Sequence, residues 1–178
     1  MPEVICDVSP IQYLHQAGLL DLLRLRYGAV TIPTAVAAEL REGALRGVDL
    51  PAFEALDWIQ IRQPAGRLLL PIVADLGAGE RGVLTLGTET LDSLVILDDA
   101  LARQYARMLK LALTGTLGVL LKAKEAGLLP ALAPVLERLQ HLGAAGVHDP
   151  VGHPVAVQAL AVEERVHVAA GVLSHYLG

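Results

Sequence analysis

The sequence predicts an α/β protein: a three-layer α/β/α sandwich around a central parallel sheet of four to five strands. Short apolar runs alternate with helical patterns at least four times along the 178 residues. This alternation is typical of βαβ units whose helices cover both faces of a sheet. The clearest run, residues 93–97, is apolar after its first residue, as a strand buried on both faces should be. The length is enough for one domain with a full core.

Composition and charge exclude several classes of protein. With 53% hydrophobic residues the chain is expected to be globular and not disordered. Charged residues interrupt every apolar stretch before a membrane span could form, and the N-terminus lacks a signal-peptide pattern, so we expect a cytoplasmic protein. The net charge of −5 argues against a simple basic phosphate-binding protein. The net charge does not exclude a nuclease whose acids hold metal ions, because the bound cations would reverse the local field.

The first predicted strand ends at Asp7 and is followed at once by a helix signal. Ser9 can cap a helix, and the proline after it has a preset φ that suits the first turn. A helical pattern runs over residues 11–27, where Gly18 predicts a bend between two short helices. Asp7 is thus expected at the carboxyl end of a strand, the edge at which open α/β sheets bind ligands.

The later elements alternate in the same way. A strand over 29–32 ends at Pro33, and Thr34 can cap the helix over 35–43 that follows. The run over 58–62 alternates polar and apolar residues, which predicts a strand, placed at the sheet edge. The remaining predicted elements are a helix over 79–89, the strand over 93–97, a helix over 100–110, a strand over 111–114, a helix that ends at 126 and a helix over 130–142.

Acidic residues fall where the predicted strands and helices would bring them together. They are Asp7, Glu39, Glu80, Asp98 and Asp99. Two carboxylates 4 Å apart repel each other by about 4 kcal/mol at an effective dielectric constant near 20, so such a cluster needs raised pKa values or bound cations. Oxygen ligands without histidine or cysteine select Mg²⁺ or Mn²⁺, and these ions support phosphodiester hydrolysis. The residues alone suggest that chemistry.

Each of these residues also has a simpler interpretation. Asp7 can merely cap a helix, and Glu39 and Glu80 can be solvated helix acids, with Glu80 stabilising a helix N-terminus through the macrodipole.

Arg103 and Arg107 lie on or near one face of the helix over 100–110. That face can guide an RNA backbone, and a solvated helix face explains it about as well.

Taken together and in order, six segments resemble PIN-domain proteins, close to the VapC-like toxin ribonucleases. The matching segments are 4–10 (VICDVSP), 32–40 (IPTAVAAEL), 56–62 (LDWIQIR), 75–87 (DLGAGERGVLTLG), 94–103 (LVILDDALAR) and 113–130 (LTGTLGVLLKAKEAGLLP). The resemblance gives a PIN-like nuclease domain over residues 1–142. Residues 143–178 form a divergent C-terminal tail, rich in valine and histidine, in which a helix is the one element suggested.

The resemblance implies a function and a set of residue roles. PIN domains of this kind use Mg²⁺ or Mn²⁺ to cleave RNA, and VapC-like toxins pair with a small antitoxin protein and form homodimers. Asp99 is favoured over Asp98 as the metal-facing member of its pair. Ser9 and Thr116 take auxiliary positions. The implied catalytic residues are Asp7, Glu39, Glu80 and Asp99. The implied metal ligands are Asp7, Asp99, Glu80 and Asp98.

Two other functions compete with this one. A catalytically inactive PIN-like module could keep antitoxin or RNA contacts without cleavage. The glycine-rich segment 77–82 also resembles the first motif of S-adenosylmethionine-dependent methyltransferases, in which Asp98 would bind ribose. Against the methyltransferase stand Pro71 in the strand that should precede the motif, the strands that come before it and the short chain that follows.

Overall fold

Five parallel strands form the centre of the protein, in the order β3-β2-β1-β4-β5. The structure is a computed structural model that describes residues 1–66 and 75–143. The strands are β1 (Glu3–Cys6), β2 (Val30–Pro33), β3 (Ile59–Arg62), β4 (Ser93–Ile96) and β5 (Ala112–Thr114). The α/β fold with a parallel sheet is therefore confirmed, and β3 lies at a sheet edge as predicted.

Helices flank the sheet, and the direction of the crossovers explains why. The chain moves from β1 outward to β3, then returns to β4 and moves on to β5. Right-handed crossovers in opposite directions place their helices on opposite faces. Accordingly α1 and α2 contact α6, while α4 contacts β1, β2, β4 and α5. The helices are α1 (Val8–Gln16), α2 (Asp21–Tyr27), α3 (Thr34–Leu45), α4 (Ala78–Glu89), α5 (Ala100–Met108), α6 (Thr116–Glu125) and α7 (Ala133–His141), with a 3₁₀ turn at Phe53–Ala55.

Two predicted helix caps are wrong. Helix α1 begins before Ser9, with Asp7 in the N-cap position; the proline is tolerated because N–H groups in the first turn have no intrahelical partner. Thr34 is the first residue of α3 and follows Pro33 in the N-cap position. Its hydroxyl donates to Gln63 Oε1 at 2.6 Å. At Thr34 a tertiary contact thus outweighs the local capping preference, whereas at α1 the N-cap position falls to Asp7, another favoured capping residue.

The bend at Gly18 is confirmed: its φ of +71° separates α1 from α2, and glycine adopts that conformation without steric cost. The central strands are buried, including Cys6, as expected of a small apolar residue. The predicted tail beyond residue 143 and the argument from Pro71 lie outside the described residues. No helix in the described part of the chain is long and apolar enough to cross a membrane.

Candidate active site

The carboxyl ends of β1 and β4 lie side by side and carry the two most buried acids among residues 1–66 and 75–143. Cys6 pairs with Ile96 in the parallel register, and the Asp7 N–H donates to Ile96 O at 3.2 Å. Asp7 and Asp98 are only 3% and 6% exposed. The two predicted strand-end acids therefore meet at the same edge of the sheet.

Asp7 has an unusual environment for a carboxylate. It occupies the N-cap position of α1 but makes no side-chain capping hydrogen bond, and its Oδ1 is buried without a hydrogen-bond partner. Burial, then repulsion from Glu80, and further from Glu39 and Asp98, raise its pKa to about 8, while the Val8 N–H acts in the lowering direction. Asp7 thus stands at the N-cap position of α1 near the Val8 N–H, yet its Oδ1 remains unpartnered.

The first turn of α4 approaches the acids through its backbone. The Gly79 N–H donates to Glu39 Oε1 at 2.8 Å. A Cβ added at Gly79 would lie 2.7 Å from Glu39 Oε2 and 2.9 Å from Asp7 Oδ1, so the Glu39 and Asp7 oxygens meet where only glycine fits. Burial raises the pKa of Glu39, the Gly79 hydrogen bond lowers it and Glu80 raises it.

Glu80 lies one residue beyond this contact and is partly buried. Its carboxylate lies over Gly77, the N-cap residue of α4, where an added Cβ would overlap it. A third-position glutamate directed at the N-cap stabilises a helix start. Because its charge also raises the pKa of Asp7 and Glu39, Glu80 belongs electrostatically to the same cluster.

Asp98 is held by the start of α6. Thr116 donates to it twice, from its N–H to Oδ1 at 2.8 Å and from its hydroxyl to Oδ2 at 2.6 Å. Burial raises the pKa of Asp98, while the two Thr116 hydrogen bonds and the charge of Arg103 lower it. Thr116, expected in an auxiliary position, is 1% exposed and fixes the orientation of Asp98.

The neighbouring Asp99 has a different position. It is exposed, and its Oδ1 accepts a hydrogen bond from the Ala102 N–H at 2.8 Å, which caps α5. Asp98, and not Asp99, faces Asp7 and Thr116. The preference for Asp99 as a metal ligand stays a prediction from the sequence, and the proposal below relies on Asp98 in its place. Ser9, also predicted to be auxiliary, lies partly buried in the first turn of α1.

Arg103 reaches the acid edge from α5. Its Nη1 donates to Leu97 O at 2.8 Å. A Cβ added at Gly115 would lie 2.7 Å from that Nη1 and 2.8 Å from Asp98 Oδ1. Burial, and then repulsion from Arg107, lowers the pKa of Arg103, while Asp98 raises it. The guanidinium is thus a half-buried cation beside the acids, whereas Arg107 is exposed.

The sequence reasoning missed the glycines as parts of the site. Gly79 and Gly115 let backbone approach the carboxylates, and Gly82 lets α4 pack on Pro33, whose Cβ would be 2.8 Å from an added Cβ. The repeated glycines of segment 77–82 were the sequence signal for this close backbone approach. In the described contacts, Gly79 donates its N–H to Glu39 and Gly82 allows close helix packing. These roles account for the glycine-rich pattern without a methyltransferase cofactor.

The donor set matches a hard divalent cation in its chemistry. Within residues 1–66 and 75–143, no three Asp, Glu, His or Cys side chains are placed so that they could hold a metal ion as they stand. The acids offer oxygen ligands only, which suit Mg²⁺ or Mn²⁺, and the unpartnered Asp7 Oδ1 supplies a buried ligand atom. Glu39 and Glu80 have the longer side chains, which can complete such a set by rotation.

A parallel α/β sheet with several carboxylates gathered at its carboxyl edge defines a class of protein with a nuclease-like fold. The chain belongs to the PIN-domain family: the family model DUF3368, described as a PIN domain, matches residues 3–147. Members of PIN families are typically nucleases and often bind divalent metals. Searches of curated proteins and of solved structures found no match.

Proposed function

We propose that this protein is a metal-dependent ribonuclease that hydrolyses RNA phosphodiester bonds. The observation that supports this most strongly is the buried, unpartnered Oδ1 of Asp7 among three further acids. A buried carboxylate oxygen without a partner is costly, and a cation would supply the missing partner. The raised pKa of Asp7 also supports a cation site, because without a metal ion the carboxyl takes up a proton in place of the missing positive charge.

Four residues would hold the ion: Asp7, Asp98, Glu39 and Glu80. A bound Mg²⁺ or Mn²⁺ would supply an activated water and stabilisation of the developing negative charge. Asp7 and Asp98 come from rigid strand ends, so they fix the position of the site. The longer Glu39 and Glu80 side chains adjust to the ion and to the RNA.

The remaining residues orient these acids and neutralise the RNA. Thr116 holds both oxygens of Asp98 and so fixes the direction in which its lone pairs point. The Arg103 guanidinium uses one N–H on Leu97 O and has further donors for a phosphate oxygen. Arg107, one helical turn away and exposed, can contact the next phosphate of the strand.

The test is cleavage of a mixed RNA pool by the purified protein in Mn²⁺, Mg²⁺ or EDTA. We expect cleavage that requires the metal and that is lost in Asp7→Asn and Asp98→Asn. The matched control is Asp57→Asn, an exposed aspartate in the turn before β3, which should cleave as the wild type does. Cleavage that persists in EDTA, or that survives Asp7→Asn, would overturn the proposal. A folded protein that binds a partner but never cleaves would favour the inactive interaction module.

We further propose that the nuclease is the toxin of a toxin–antitoxin pair, acts as a homodimer and is blocked by a small antitoxin protein. The support is the ordered resemblance of six segments to VapC-like toxins. Induced expression should arrest growth, and Asp7→Asn should remove the arrest. Light scattering on the purified protein should give twice the chain mass. Normal growth on induction of an active nuclease would separate the toxin role from the enzymatic one and refute the former.

A further inference from the structure

A groove of about 580 Å³ lies beside the acid cluster, within the size range of sites that bind small ligands. The start of α3, the residues after β3 and the first two turns of α4 form its walls. We call it the α3–α4 groove, and the lining residues used below are Thr34, Ala35, Gln63, Arg81, Gly82 and Thr85.

The groove lies next to the acids along both α3 and α4. Ala35 lines the groove, and Glu39 follows it by four residues in α3, so the two lie on the same helix face one turn apart. On the opposite wall, Arg81 lines the groove and directly follows Glu80. A strand whose phosphate lies at the acids therefore has one neighbouring nucleotide within reach of this groove.

Small residues line part of the groove. Gly82 packs against Pro33 so closely that an added Cβ would lie 2.8 Å from the proline Cβ. Ala35 faces it from α3. The hydroxyl of Thr85 is already engaged, because it donates to Arg81 O at 2.6 Å. Gly82, Ala35 and Thr85 therefore offer few free polar groups to a ligand.

The polar groups stand at the rim. Gln63 Oε1 accepts the Thr34 hydroxyl at 2.6 Å, which fixes the amide, and its Nε2 donates to Pro64 O at a long 3.5 Å. The amide retains a second lone pair on Oε1 and a second N–H on Nε2, so it can accept and donate side by side. Arg81 is exposed and is the one cation among the lining residues described.

We infer that the α3–α4 groove binds one nucleoside of the RNA, with Gln63 on the base edge and Arg81 on the adjoining phosphate. An amide that donates and accepts side by side complements a base edge, and a guanidinium complements a phosphate. Arg81 also offsets repulsion between the acid cluster and the polyanion where the strand leaves the acids. The inference rests on the proposed function, because it takes RNA as the ligand.

Two measurements test the groove, one with cleavage and one without. Sequencing of the ends produced from a random RNA pool in Mn²⁺ gives the base preference at each position. Gln63→Ala should reduce the preference at one position by about tenfold, the effect of one lost base contact. Gln60→Ala, an exposed glutamine three residues earlier on β3, should leave the profile unchanged.

The second measurement is fluorescence anisotropy of a labelled eight-nucleotide RNA in Ca²⁺ over a series of salt concentrations. Arg81→Gln should weaken binding and reduce the slope of log K against log salt by about 0.7, the value of one single-strand phosphate contact. Arg24→Gln makes the same charge change on an exposed residue of α2, the helix that ends before β2 begins, and should reduce the slope by much less.

The outcomes separate this inference from the nuclease proposal. Cleavage with an unchanged profile and slope in both groove variants would overturn the inference and leave the nuclease standing. Binding that depends on Arg81 without any cleavage would support the groove and overturn the nuclease. A wild type that neither cleaves nor binds RNA would overturn both.

Discussion

Replacing Asp7 with asparagine should stabilise the metal-free protein. The pKa of Asp7 rises from 3.8 to about 8 on folding. Between those two values the folded protein holds a proton that the unfolded chain has lost, so stability falls as pH rises, by about 1.4 kcal/mol per pH unit for a single group. Below pH about 3.8 both states are protonated, and above pH about 8 both are ionised and the full loss is reached.

The size of the effect at pH 7 follows from the same numbers. Between pH 3.8 and pH 7, an isolated group with these pKa values would lower the free energy of unfolding by about 4 kcal/mol. Glu39 and Asp98 also have raised pKa values, and their own proton uptake relieves part of the repulsion. We therefore expect Asp7→Asn to raise the free energy of unfolding by about 2 kcal/mol at pH 7, with a gain close to zero at pH 4.

Urea unfolding in EDTA at pH 4, 5.5 and 7 measures this gain, with Asp57→Asn as the control for a change in net charge. Saturating Mn²⁺ should reverse the order of stability, because an ion that binds at 100 times its Kd stabilises the wild type by about 2.7 kcal/mol and should not bind the variant. If Asp7→Asn instead destabilised the metal-free protein at pH 7, its carboxylate would be a structural group and the reasoning would be refuted.

Three further variants test the supporting contacts. Gly79→Ala should reduce metal-dependent cleavage at least tenfold, because its Cβ would lie 2.7 Å from Glu39 Oε2. Gly43→Ala, whose one close contact is the movable tip of the Leu50 side chain, should keep full activity. Thr116→Val removes the 2.6 Å hydroxyl bond to Asp98. Because that bond lowers the pKa of Asp98, its loss should move the acid limb of the pH–rate profile to higher pH, and Thr116→Ser should restore it. An unmoved limb would refute the role of that bond. Asp99→Ala should lower the free energy of unfolding in urea by about 1 kcal/mol, because the α5 cap is lost, yet it should still cleave RNA. Asp98→Asn should fold and not cleave. Cleavage by Asp98→Asn with loss of cleavage in Asp99→Ala would make Asp99 the metal-facing residue.

Much of the fold could be predicted because each element carries a local signal. Strand ends, the bend at Gly18 and the edge position of β3 follow from apolar runs, glycine and alternation. The meeting of Asp7 with Asp98 also follows, since parallel strands bring their carboxyl ends to one edge. The side of α3 on which Glu39 lies could not be predicted, because it depends on contact with Gly79, which lies 40 residues away.

The choice between Asp98 and Asp99 shows where local reasoning could have gone further. Asp99 directly precedes α5, so its place as a helix cap was available from sequence preferences. The capping error at Thr34 has the opposite cause. Thr34 contacts Gln63, which follows the neighbouring strand, in a long-range hydrogen bond that no local preference reveals.

Calorimetric titration of the metal-free protein with Mn²⁺ at pH 7, in buffers of different ionisation enthalpy, tests the central claim most directly. The account predicts one saturable site that releases nearly one proton per ion, because Asp7 with a pKa of about 8 is mostly protonated before the ion binds. Asp7→Asn and Asp98→Asn should abolish that site, and Asp57→Asn should keep it. Binding of equal affinity in the Asp7→Asn variant, or no binding by the folded wild type, would contradict the assignment of this edge as a metal centre.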